Sequence, residues 1–236
     1  MKPTTNQVPK HIGVILDGNR RFAKRLMIKP WKGHEWGAKK VEALMRWSEE
    51  IGVKELTIYA LSIENLNRPK KEFDYLMKVF LDSYRKIAKD KNLIKKGLKI
   101  NFIGSRYLLP KNVQDAMRNL EEKTKNNSKY IINFAMAYSG QEEIIDATKK
   151  IAEKIKSGSL SPENINKESF ENNLYLKDSP DMIIRTGGEK RSSNFLPYQS
   201  VYSEWFYLEK TWPEFEKEDF LECIEQFKRR QRRFGK

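Results

Sequence analysis

The densest run of reactive side chains is Asp17-Gly18-Asn19-Arg20-Arg21-Phe22-Ala23, which follows a short apolar stretch, Ile12 to Leu16, interrupted by one glycine. A carboxylate that can hold a divalent cation, next to two arginines that can fork onto phosphate oxygens, suits a phosphorylated ligand. Gly18 beside Asp17 would let backbone N–H groups approach an anion. Read alone, the same residues also describe a basic surface turn. Gly33-His34 follows as a second polar mark before a helix-like segment. Further along, Arg185-Thr186-Gly187-Gly188-Glu189 is trailed by Arg191, Ser192, Ser193 and Asn194. Paired glycines there let amides close on an anion while both arginines fork and Ser193 donates a hydroxyl. Ser62, Glu64, Asn65, Asn67 and Arg68-Pro69 form a third polar group, and Tyr138-Ser139-Gly140 a fourth.

Each group follows an apolar run, which is how strands ending in ligand-bearing loops read. The predicted strands are Ile12–Leu16, Leu56–Leu61, Leu98–Ile103, Ile131–Ala137, Met182–Arg185 and Val201–Leu208. Between them lie stretches of helical period at Phe73–Ala88, His34–Ile51, Lys111–Lys125, Gln141–Lys156, Glu163–Tyr175 and Lys217–Arg232. Phe73, Leu76, Met77, Phe80, Leu81, Tyr84, Ile87 and Ala88 fall on one broad face of the first of these. Pro69, Glu72 and Asp74 mark its start, the acids suiting the positive end of the helix dipole. Alternating βα units predict an α/β fold with a six-stranded, mainly parallel sheet, so the polar groups gather at one sheet edge. The chain of 236 residues is expected to be one domain, with a short N-terminal arm over about residues 1–10 and a basic tail over about 229–236.

A net charge of +14 points to anionic partners: nucleic acid, an anionic membrane or polyanionic small molecules. A nucleic-acid binder would interleave aromatic with basic residues on an exposed sheet, and no such pattern occurs, so no nucleic-acid partner is expected. The single cysteine, Cys223, excludes an internal disulfide and fits a reducing compartment. The N-terminus reads as neither signal peptide nor membrane span. A cytoplasmic protein is expected, with any membrane contact peripheral.

The motifs HIGVILDGNRRFA at 11–23, GH at 33–34, ALSIENLNRP at 60–69 followed by Glu72, NFAMAYSGQEEI at 133–144, DMIIRTGGEKRSSNF at 181–195 and the stretch ending in Glu204 together resemble the undecaprenyl diphosphate synthase family of cis-prenyltransferases. The resemblance spans nearly the whole chain and is closest to archaeal members. It implies a homodimeric α/β fold enclosing an apolar product tunnel, walled by the helices at 34–51 and 73–88. It also implies magnesium-dependent condensation of isopentenyl diphosphate onto an allylic diphosphate primer, farnesyl or geranylgeranyl diphosphate. The product would be a long polycis-polyprenyl diphosphate, the precursor of a lipid glycosyl carrier.

Carried over position by position, Asp17 resembles the metal carboxylate, and Glu204 a second one donated by the partner subunit. Gly18, Arg20, Arg21 and His34 resemble the grip on the allylic diphosphate. Arg185, Arg191 and Ser193 resemble the isopentenyl diphosphate clamp. Asn19, Ser62 and Asn65 match polar positions near the reacting carbons, while Phe22, Arg68 and Glu72 match positions whose role is partly structural. Arg233 and Gly235 resemble a tail that reaches the other subunit's phosphate site; a frayed basic terminus is the alternative. Two departures stand out. Arg20-Arg21-Phe22 replaces the Gly-Arg-Trp of many bacterial members, and Pro30 stands where they often carry a phosphate-binding arginine, leaving Arg20, Lys29 or Lys32 to substitute. A non-catalytic partner subunit generally lacks the first-strand motif, which this chain keeps.

Overall fold

The computed structural model describes residues 7–90 and 97–230. Six strands form one sheet: β1 His11–Ile15, β2 Glu55–Tyr59, β3 Leu98–Ile103, β4 Tyr130–Ala135, β5 Met182–Arg185 and β6 Glu204–Tyr207. Their spatial order is β3-β4-β2-β1-β5-β6, and every neighbouring pair is parallel. The sheet is thus wholly parallel where the sequence predicted a mainly parallel one. Among the described residues seven α-helices flank it: α1 Asn19–Arg25, α2 Gly33–Ile51, α3 Lys70–Lys89, α4 Lys111–Thr124, α5 Gly140–Lys156, α6 Lys167–Glu171 and α7 Lys217–Arg229.

Side-chain alternation along the strands splits the apolar interior in two. Val14, Ile58, Phe134 and Ile184 point to the larger cluster, to which α2, α3, α4 and α7 contribute Leu44, Leu76, Met117 and Phe220. Their neighbours Ile15, Tyr59, Ala135 and Ile183 point to the smaller one, closed by Tyr138, Phe195 and Leu196. Both faces of the sheet are covered, as parallel sheets require. Cys223 of α7 is buried in the larger cluster, and burial pushes its thiol up to about 12.

Four expectations need correction. The charged stretch after β1 is a helix, α1, and not a loop. Gly18 caps it in the left-handed region (φ 105), its carbonyl accepts from the Phe22 amide at 2.9 Å, and Ala23 is buried beneath it. The predicted helix Glu163–Tyr175 is broken: Asn166 is extended and its side chain accepts from the Ser169 amide at 2.9 Å, so α6 starts only at Lys167. The strand predicted from Val201 begins at Glu204, the first residue with a partner across β5, and Val201 and Tyr202 are exposed in the turn before it. β4 stops short of the predicted Ala137, whose φ of 45° takes the chain out of the ladder.

β1 sits between β2 and β5, and the chain leaves β1 and β5 in opposite directions across the sheet. Such a reversal splays the loops at the strands' carboxyl ends and leaves a crevice between them.

Candidate active site

In register, Ile15 at the end of β1 lies opposite Arg185 at the end of β5. Asp17, two residues on, reaches over that end, and its Oδ2 accepts from Arg185 Nη2 at 2.9 Å while Oδ1 accepts from Arg21 Nη2 at 3.0 Å. The Asp17 backbone is held independently: its carbonyl accepts from Thr186 Oγ1 at 2.9 Å and from the Trp212 amide at 2.8 Å. The carboxylate is therefore aimed by packing and backbone bonds while remaining 28% exposed. Arg185 is 4% exposed and gives Nη1 to Ser193 Oγ at 2.7 Å and to the Arg191 carbonyl. Its buried Nε has no hydrogen-bond partner among the described residues.

A second charged group surrounds Glu72, which is buried at the start of α3. Arg68 Nη1 donates to it at 2.5 Å, Arg20 Nε lies 3.6 Å away, and His34 Nε2 is 4.0 Å away. Burial, then the charges of Arg68 and Arg20, lower His34 from 6.5 to about 4, so near neutral pH the ring carries no charge. Gly33 lets this ring stand where it does. A Cβ at Gly33 would collide with the Asn19 carbonyl oxygen, so the α1–α2 approach that puts both helices on the crevice needs glycine there.

These groups form the polar mouth of a cavity of about 820 Å3. Asp17, Gly18, Asn19, Arg20 and Arg21 reach it from α1 and its cap; His34 from α2; Ser62, Asn65 and Arg68 from the β2–α3 connection; Arg185 and Ser193 from the far side. Ser62 Oγ caps the short 3-10 turn Ile63–Asn67 by accepting from the Asn65 amide at 3.3 Å. Inward the wall turns apolar: Val41 of α2, Leu76, Val79 and Phe80 of α3, with Ile58 and Phe134 from the sheet. The two amphipathic helices leave between them a slot that their own side chains do not fill.

Other predicted residues are not at the cavity. Phe22 meets Trp36 edge-on at 5.9 Å. Arg191 is 61% exposed and pairs with Glu189 at 2.6 Å. Glu204 lies opposite Met182, three residues below Arg185 and so at the other end of the sheet, where it accepts from Arg230 Nη1 at 2.7 Å. Arg233 and Gly235 lie outside the described residues. Of the three substitutes for the missing arginine at Pro30, only Arg20 lines the cavity; the Lys29 and Lys32 ammonium groups lie over Trp31 at 5.7 Å and Tyr75 at 5.0 Å.

The sequence reading missed Tyr59. This buried residue of β2 lines the cavity, donates its hydroxyl to the Ser193 carbonyl at 3.2 Å, and stacks on Phe195 at 4.8 Å. It thereby fixes a loop in which Ser193, Asn194 and Leu196 all take positive φ. A lone tyrosine in an apolar run gives no signal of this. Trp212 was missed too; its indole donates to the Gly37 carbonyl at 2.9 Å and ties α2 to the Asp17 loop.

A wholly parallel α/β sheet with a phosphate-suited mouth opening into an apolar slot defines a protein that handles a charged head and a hydrocarbon tail together. Comparison with known proteins agrees. Residues 15–235 match the prenyltransferase family model described as "Putative undecaprenyl diphosphate synthase". The chain is 46% identical, over its whole length and 90% of the relative, to the tritrans,polycis-undecaprenyl-diphosphate synthase (geranylgeranyl-diphosphate specific) of Pyrococcus horikoshii. The enzyme of the same name from Methanocaldococcus jannaschii is 47% identical over 98% of this chain and 84% of its own. Among solved structures, lavandulyl diphosphate synthase from Lavandula x intermedia, in complex with dimethylallyl diphosphate, superposes with a TM-score of 0.93 at 34% identity, covering 97% of this chain and 99% of that one. The chain belongs to the undecaprenyl diphosphate synthase family and is a cis-prenyltransferase.

Proposed function

We propose that this enzyme adds isopentenyl diphosphate units, with magnesium, to geranylgeranyl diphosphate and builds a long polycis-polyprenyl diphosphate that serves as precursor of a lipid glycosyl carrier. The primer is chosen over farnesyl diphosphate because the archaeal relatives carry the geranylgeranyl-specific name. The observation that carries the reading is a cavity that joins a cationic mouth to an apolar interior. The elongating hydrocarbon occupies the slot between α2 and α3 while both diphosphates stay in the mouth.

Two diphosphates side by side repel strongly, and the mouth offsets this with Arg20, Arg21, Arg68 and Arg185. The unpartnered Nε of Arg185 is a buried donor awaiting an acceptor, which a diphosphate oxygen supplies. Arg185 and Ser193 hold isopentenyl diphosphate, and Arg20 with Arg68 holds the primer, Arg20 standing in for the arginine replaced by Pro30. Arg191 contributes from the rim. No group of three or more His, Cys, Asp or Glu side chains suited to a metal occurs among the described residues. That fits magnesium, which typically takes one or two carboxylates and completes its shell with phosphate oxygens and water. Asp17 would hold the ion, which supplies charge neutralisation for the departing diphosphate.

In the condensation the primer's C–O bond breaks, the isopentenyl double bond closes on the freed carbon, and a proton leaves. Neither Ser62 nor Asn65 is a base at neutral pH, and a histidine held at about 4 is a weak one. The departing diphosphate takes the proton.

Glu204 cannot share a cation with Asp17 of its own chain. It lies on the edge strand β6, accepts from Arg230 in the basic tail, and follows a turn in which Val201 and Tyr202 are exposed. This surface suits a second copy of the chain, so a homodimer is proposed in which Glu204 serves the neighbour's site. The test is incubation of purified protein with labelled isopentenyl diphosphate, magnesium and allylic primers of increasing length. Long polycis products are expected, with geranylgeranyl diphosphate the preferred primer. No incorporation with any primer would refute the reading.

A further inference from the structure

One apolar surface beside the mouth is left uncovered among the described residues. The end of α1 and the two residues after it, Lys24, Arg25, Leu26 and Met27, are all exposed, Met27 at 94% and Leu26 at 48%. Met27 takes φ 56°, the left-handed region that favours glycine. A methionine there is strained in its backbone and gains nothing by burial, so neither folding nor solubility accounts for it. Trp36, 41% exposed, extends the patch: its ring meets Phe22, whose carbonyl accepts from the Leu26 amide at 3.2 Å. The rim is cationic. Lys24 and Lys29 have no carboxylate within ion-pair distance among the described residues, while Arg25 pairs with Glu214 and Lys32 with Glu35. Lys24 also lines the cavity mouth, so the patch and the mouth are adjacent.

We propose that the Leu26–Met27 turn, with Trp36 and the rim of Lys24 and Lys29, seats the enzyme on an anionic lipid surface with the cavity mouth beside it. The inference rests on the synthase reading, because a product too apolar for water needs a path from the slot into a bilayer. Apolar tips set among lysines, with a tryptophan at the level of the headgroups, are the features by which a protein lies on a membrane. The net charge of +14 supplies long-range attraction to the same surface. A second copy of the chain is the competing occupant, but the exposed lysines would then face their own like charge.

The experiment is flotation with phosphatidylcholine vesicles, with and without phosphatidylglycerol. The wild-type chain is expected to float with the phosphatidylglycerol vesicles, to stay with buffer on phosphatidylcholine alone, and to be released by salt. Met27→Asp should lower partitioning by about tenfold or more, since it both removes buried apolar surface and adds repulsion. Met27→Gly guards against a folding artefact: it should lower partitioning while raising the thermal midpoint, because glycine adopts this φ freely. Unchanged flotation of both variants, or equal binding to neutral vesicles, overturns the proposal. So does conversion of the oligomeric state by Met27→Asp with flotation unchanged, which would assign the patch to contacts between copies. Incorporation of isopentenyl diphosphate in detergent is measured in parallel and should not change in either variant. Its absence in the wild type would sink the synthase reading without deciding the flotation result.

Discussion

The two ends of the cavity are built on different principles. At the mouth, position is set by discrete polar bonds: Asp17 between Arg21 and Arg185, Glu72 among Arg68, Arg20 and His34, Ser193 under Arg185 and over Tyr59. The slot is walled instead by apolar side chains, Val41, Leu76, Val79 and Phe80, which set its depth by shape, while the Lys86–Glu42 ion pair at 2.7 Å ties α3 to α2. The mouth should therefore fail abruptly when one group is removed, and the slot should change by degrees.

The sharpest test is Asp17→Ala. Loss of the carboxylate should lower turnover by about 10²-fold or more, through several kcal/mol of transition-state stabilisation. The fold should survive, because the Asp17 carbonyl still receives Thr186 and Trp212. Near-normal turnover at saturating magnesium would break the contrast at once.

Acid should act next. His34 and His11 are both lowered by burial from 6.5 to about 4, so the unfolded chain binds more protons than the folded one between those values. Stability is then complete above pH 6.5 and falls as pH drops towards 4, with a slope of about 1.4 kcal/mol per pH unit per histidine. Denaturant titrations of the wild type and His34→Gln check this. The variant should lose His34's share of the slope between roughly pH 6.5 and 5; burial also raises Glu55 and Glu143, but both proteins carry them and their contribution cancels in the comparison. Equal slopes would show that His34 titrates normally.

A smaller effect separates two arginines that sequence alone treats alike. Arg185→Ala should raise KM for isopentenyl diphosphate by roughly 1.5–3 kcal/mol, that of a charge-assisted contact. Arg191→Ala, at an exposed position already paired with Glu189, should cost less than about 1 kcal/mol. A reversed ranking would place the clamp on the rim. Least of all in energy, Phe80→Ala in the slot should shift products to greater length while leaving the first condensation within about twofold, since it touches no charged group. An unchanged product ladder would mean that depth is set elsewhere.

What could be read in the sequence follows the same division. Asp17 and Arg185 declared themselves because charge at a strand end is unusual, His34 through the Gly-His mark before α2, and five of six strands were found within two residues at either end because buried parallel strands are plain apolar runs. α1 was hidden since its seven residues bury only Ala23 and show no apolar period. Tyr59 was hidden since its hydroxyl acts on a carbonyl far along the chain, which no local pattern encodes. The false extension of β6 to Val201 came from reading exposed apolar residues as a strand, when only the pairing of Glu204 with Met182 decides where the ladder begins.

The position of β1 has a consequence for how the protein is made. β1 is the first strand to leave the ribosome, yet one of its two neighbours is β5, and the bonded pair Asp17 and Arg185 are 168 residues apart. At about 5–20 residues per second the nascent chain waits on the order of 10–30 s with that edge of β1 open. β2, β3 and β4 can assemble on its other side meanwhile, so four of the six strands precede β5 and β6 and the cavity mouth closes only near the end of translation. Arrested chains ending before residue 182 should accordingly be sensitive to protease across β1, and chains long enough to clear β5 resistant.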